Sequence, residues 1–152
     1  MRETIIADLK EAMKTQDKCR VSTLRLITAA IKDRDIAARS QGKDCLSDDE
    51  VLELLTKMIR QRVESIKAYE EAGRLEMAER EREEIGIIRG YLPKQLDEDE
   101  MRSACVKVVR EIGAAGLRDM GRTMNALKER FAGKMDFGQA SCVVKKILRD
   151  PV

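Results

Sequence analysis

Histidine and tryptophan are missing from this chain altogether, and its aromatic residues are two tyrosines and two phenylalanines. The absence of histidine removes the commonest general base and every Ser-His or Cys-His nucleophile arrangement. The scarcity of aromatics argues against single-strand nucleic-acid binding by base stacking. Four cysteines, Cys19, Cys45, Cys105 and Cys142, are widely spaced and never form Cys-x-x-Cys. No metal site is therefore expected, and they read as reduced thiols. No stretch approaches the ~20 apolar residues of a membrane span. The N-terminal Met1-Arg2-Glu3-Thr4 mixes both charges within one turn, unlike a signal peptide. The chain accordingly reads as soluble and cytoplasmic, with no membrane contact.

What is present favours helices. Charged residues make up 38% of the 152 positions, and Ala, Leu, Met, Glu, Lys and Arg dominate over β-branched or aromatic runs. Apolar residues recur at i, i+3/i+4 spacing in seven segments, which predicts an all-α fold. The first two helices are expected near Arg2–Lys14 and Lys18–Ser40, the second apolar on two sides, with Leu24, Ile27 and Ile31 on one and Leu26, Ala30 and Ala37 on the other. Ser47-Asp48-Asp49-Glu50 has the form of a capping box and starts a long helix to about Tyr69. Ala72-Gly73-Arg74 reads as a glycine-capped reversal into a highly charged helix, Leu75 to Arg89, where only Leu75, Ala78, Ile85 and Ile88 can serve a core. Pro93 in Tyr91-Leu92-Pro93-Lys94 marks the strongest boundary. The expected organisation is a helical N-terminal domain over 1–90 and a three-helix bundle over 91–152.

The net charge of +2 conceals an asymmetry. Residues 1–101 carry 19 Lys and Arg against 23 Asp and Glu, and residues 102–152 carry 11 against 5. A basic C-terminal third suggests an anionic partner. Within it, the segment from Leu117 to Lys128 is a Met-lined amphipathic helix with Gly121 inside. Helix-interior glycine costs about 1 kcal/mol relative to alanine, so close approach of another backbone is the expected compensation. Met120, Thr123, Met124, Leu127 and Phe131 form the inner stripe. Arg118, Arg122, Asn125 and Glu129 face outward, with Gly121 and Lys128 beside them. The last helix points Lys145, Lys146 and Arg149 outward. Six basic side chains, Arg118, Arg122, Lys128, Lys145, Lys146 and Arg149, are thus candidates for phosphate contacts, against the competing reading of an ordinary solvated surface.

Catalytic residues are not expected. Glu79, Glu81, Glu83 and Glu84 interleave with Arg80 and Arg82 on one helix taken to be exposed, without a desolvating frame. Gly113-x-x-Gly116 lacks the Gly-Lys-Ser/Thr that completes a phosphate-cradling loop. No cofactor is implied.

In order and at the expected spacing, Leu24-Arg25-Leu26, Ser47-Asp48-Asp49-Glu50-Val51, Gln61-Arg62 with Glu64-Ser65-Ile66, Ala72-Gly73-Arg74, Tyr91-Leu92-Pro93-Lys94-Gln95-Leu96, Asp119-Met120-Gly121 and Val144-Lys145-Lys146-Ile147-Leu148 resemble the GatB/YqeY family in its stand-alone form. The resemblance implies two helical units, the second similar to the tail of the B subunit of aspartyl/glutamyl-tRNA amidotransferase. It further implies tRNA as a partner, with an amidotransferase or another translation-related protein as a further one. The family label of carbon–nitrogen ligase with glutamine as amide donor comes with it, although no residue pattern here supplies that chemistry. One departure concerns the glycine face: the family usually carries a second glycine where this chain has Asn125. Three functions are therefore expected in order: a non-catalytic tRNA-binding or amidotransferase-associated accessory protein, a protein-interaction adaptor using the same basic face, and a ligase.

Overall fold

Each of the seven amphipathic segments is helical in the structure, a computed structural model that describes residues 1–149. The elements are α1 (Arg2–Thr15), α2 (Lys18–Ser40), α3 (Asp48–Glu71), α4 (Leu75–Arg89), α5 (Glu98–Ile112), α6 (Met120–Arg130) and α7 (Phe137–Arg149), with a 3-10 turn at Leu117–Asp119 before α6. No strand occurs among the described residues, and the fold is all-α. None of these helices is long and apolar enough to cross a membrane. The chain divides into two compact units, Met1–Leu92 and the remainder from Pro93 onward.

Local chemistry sets where the helices start and stop. The Asp17 carboxylate accepts from the Arg20 N–H to begin α2. At α3 the capping box is complete: Ser47 Oγ accepts from the Glu50 N–H while the Glu50 carboxylate accepts from the Ser47 N–H. α3 ends where Gly73 adopts φ +73°, letting Gly73 N–H reach Glu70 O and Arg74 N–H reach Tyr69 O at 2.8 Å. That pair of bonds satisfies carbonyls that a helix end otherwise leaves open, and the left-handed backbone it needs is cheap only for glycine.

In the first unit α1 lies on α2 and α3 on α4, with α2 also touching both α3 and α4. Its core gathers Ile5, Leu24, Ile27, Ile31, Val51, Leu55, Met58 and Ile88. Two sequence expectations are corrected here. α2 buries one side only: Leu24, Ile27 and Ile31 are inside with Ala38, whereas Leu26 is 47% exposed and Ala37 lies in solvent. Of that second stripe only Ala30 is half-buried against the core. In α4, Leu75 is 67% exposed because it sits at the helix start; Ala78, Ile85 and Ile88 are buried, and Ile87, absent from the sequence expectation, is half-buried against the core. Nor is α4 a uniformly solvated helix, since Glu84 turns inward to meet Arg62 of α3.

A second polar tie lies elsewhere in this unit. Arg2 donates from both Nη atoms to the Asp35 carboxylate at 2.7 and 2.8 Å, and from Nη2 to Leu46 O. Asp35 in turn accepts from the Leu46 N–H, fastening the loop that precedes α3. The Arg2 hydrogen bonds, with that backbone donor, hold the Asp35 carboxyl down at about 2.

The second unit is a bundle in which α5, α6 and α7 each touch the other two. Met101, Cys105, Val108, Leu127, Met135, Ala140, Val144 and Leu148 form its core. The strap before α5 is tied to the α6–α7 turn by Leu96 N–H to Lys134 O and by Gln95 Nε2 to Gly133 O.

Candidate functional site

Asp119 organises the start of α6. Its carboxylate accepts from the Ala115 N–H at 2.9 Å and from Arg122 Nη2 at 3.3 Å. The backbone donor, then the Arg122 and Arg118 charges, hold the carboxyl below its ordinary range. Asp119 O also accepts from the buried Thr123 hydroxyl at 2.8 Å, so a polar side chain inside the bundle is satisfied.

Around this start, Arg118, Gly121, Arg122, Asn125 and Lys128 are all exposed. The helix begins at Met120, which places Gly121 in its first turn and not in its interior. What glycine costs there is the backbone freedom it loses on folding, which an alanine would reduce. A Cβ built on Gly121 meets nothing within 4 Å. No part of this chain's own fold therefore explains the glycine. Facing inward from the same helix, Thr123 and Leu127 are buried, while Met120, Met124 and Phe131 lie half-buried against the core.

On α7, Lys145, Lys146 and Arg149 are exposed, as is Cys142. Lys146 and Arg149 share a groove of about 1120 Å³ between α5 and α7, where Arg102 and Arg110 of α5 join them. The residues named on α6 do not line it. Because all three helices touch one another, the outward side of α6 and the α5–α7 groove face different directions. The basic residues are thus divided between two surfaces. Arg102 and Arg110 escaped the sequence reading. Their signal was present: with Val106 between them they form an i, i+4, i+8 stripe beside the apolar one.

Two of the four cysteines are muted. Burial, and then Glu83, pushes the Cys19 thiol up, and burial pushes Cys105 up, so both favour the neutral thiol over the nucleophilic thiolate. Burial followed by the Glu84 charge raises Glu81, with Arg62 opposing. No group of three or more His, Cys, Asp or Glu side chains is placed to hold a metal among the described residues.

A family model described as Yqey-like protein matches residues 2–148. Among curated proteins, the chain is similar to "Altered inheritance of mitochondria protein 41, mitochondrial" of Lachancea thermotolerans, 41% identical over 85 residues, or 56% of this chain and 44% of the relative. The Candida glabrata protein of the same name is 36% identical over 89 residues, covering 59% of this chain and 48% of the relative. That of Clavispora lusitaniae aligns over 145 residues at 29% identity, covering 93% of this chain and 81% of the relative. In the first two the match spans about half the relative's length. Their names correct the expectation of a cytoplasmic protein, since these relatives are named as mitochondrial. A charged helical domain looks the same in any aqueous compartment.

Proposed function

The chain belongs to the Yqey-like protein family, and on that footing we propose that it is a tRNA-binding accessory protein, associated with a tRNA amidotransferase and without catalysis of its own. The observation that carries this reading is the open surface at the start of α6. Gly121 lies between Arg118 and Arg122 with free space above it, and Asn125 and Lys128 stand alongside. Guanidinium groups recognise phosphate oxygens by bidentate hydrogen bonds, and a glycine between them lets a sugar-phosphate backbone come close. Lys145 on α7 adds a further exposed cation. Four aromatic residues in the whole chain leave little for base stacking, so shape and backbone are what such a surface reads.

The test is binding of bulk tRNA to the full chain, followed by fluorescence anisotropy from about 50 to 200 mM salt. Three phosphate contacts would weaken binding about forty-fold across that range. Arg118→Glu combined with Arg122→Glu should flatten the salt dependence by about two released counterions. Unchanged affinity in that variant, or no binding by the parent chain at the lowest salt, would overturn the reading.

A further inference from the structure

The groove between α5 and α7 combines features that the phosphate-binding reading leaves unused. Its rim carries Arg102, Arg110, Lys146 and Arg149, all exposed and none paired with a carboxylate among the described residues. Two other exposed cations of the same unit are paired, Arg122 with Asp119 and Arg130 with Glu111, whereas the four on the rim stand together around one groove. Between the rim charges, Val106, Val143 and Ile147 are half-buried and form an aliphatic floor. Four like charges held around an apolar trough call for a ligand that supplies both negative charge and apolar surface.

We propose that this groove is a docking site for an acidic amphipathic helix of a protein partner. Arg102 and Arg110 stand eight helical residues apart, or about 12 Å along α5, roughly two turns. A partner helix laid in the trough would bury aliphatic side chains at i and i+3/i+4 against Val106, Val143 and Ile147. Its carboxylates, placed a turn to either side, would meet the arginines and the lysine. This is the helix-in-groove mode of recognition, with apolar contact setting affinity and rim charge setting approach rate and register. A nucleic-acid occupant fits less well. A phosphate ridge offers nothing to bury on an aliphatic floor, and Phe131 and Phe137 pack against the bundle core instead of lining the groove.

The proposal is independent of tRNA binding at α6 and is tested separately. The probe is a fluorescein-labelled, 14-residue synthetic helix with leucines on one stripe and glutamates flanking it, titrated into the full chain. Amide shifts in an NMR titration should concentrate at Val106, Val143 and Ile147. Arg102→Glu with Arg110→Glu should weaken the peptide at least about tenfold. Lys146→Glu should weaken it in the same direction, while Arg118→Glu with Arg122→Glu leaves it unchanged. All positions altered are exposed, and unchanged helical circular dichroism would verify the fold. A peptide that fails to bind, binds equally well with glutamines in place of glutamates, or shifts residues outside the groove would overturn the proposal. So would an Arg102→Glu, Arg110→Glu variant that keeps the peptide and loses tRNA, which would make the groove an RNA surface.

Discussion

Arg62 on α3 donates from Nε to Glu84 Oε2 on α4 at 3.0 Å, and the two side chains keep only 12% and 13% of their surface exposed. Arg62 also donates from Nη1 to Met58 O, which fixes the guanidinium against its own helix. A pair this withdrawn is far more costly to halve than to replace. Arg62→Ala would strand Glu84 and should destabilise the chain by about 3 kcal/mol. The double variant Arg62→Met, Glu84→Leu should recover most of that loss. Urea unfolding followed by circular dichroism measures both; a double variant no better than the single would mean the pair is a net stabiliser by attraction.

Acid should loosen the tie between Arg2 and Asp35. With its carboxyl held at about 2 against an ordinary 3.8, Asp35 binds a proton more weakly folded than unfolded. Its contribution is therefore complete above about pH 5 and is lost as pH falls through the folded value. Melting temperatures should drop on acidification less steeply in Asp35→Asn than in the parent. Parallel curves between about pH 5 and 2 would show that the interaction carries no linked stability.

Alkali should act on Tyr91 in the opposite sense. Burial, followed by the hydrogen bond that its hydroxyl donates to Asp8 Oδ2 at 2.5 Å, pushes this phenol up to about 12 from an ordinary 10. The neutral form is the folded form, so this stability is present below about pH 10 and disappears as pH rises through the higher value. Phenolate absorbance should show a late ionisation that Tyr91→Phe lacks. A single early phase accounting for both tyrosines would contradict the assignment.

Gly121 separates stability from binding. Its backbone does not use positive φ, and an added methyl meets nothing. Gly121→Ala should leave the chain as stable as before or gain about 0.5–1 kcal/mol. If the glycine admits a nucleic-acid backbone, the same variant should bind tRNA several-fold more weakly. Equal affinity, with stability maintained, would detach Gly121 from the interface.

Helices and their caps were the most legible layer, because each rests on residues within one or two turns. Ser47 with Glu50, Gly73 after Ala72, and the run from Lys18 to Ser40 announce themselves locally. Which apolar stripe finds a partner does not. Leu26 and Leu24 look alike along α2, and only the positions of α1, α3 and α4 decide that one is buried and the other is not. Arg62 and Glu84 lie 22 residues apart with no local signature of meeting. The candidate surface on α6 was visible as outward positions of a periodic helix. The groove was not, because Arg102 and Arg110 acquire Lys146 and Arg149 as neighbours only through the tertiary placement of α7.

Pairing between helices adjacent in the chain, α1 with α2 and α3 with α4, also bears on how the molecule is made. Short loops close with little entropy loss, and helical topologies of this kind acquire their structure in microseconds to milliseconds. Translation is far slower: at roughly 5–20 residues per second, the residues from Pro93 onward take about 3 to 12 seconds to synthesise. Every member of the first core, from Met1 to Leu92, has by then been polymerised. Once clear of the ribosomal tunnel, the N-terminal unit can be fully folded while the basic helices are still emerging.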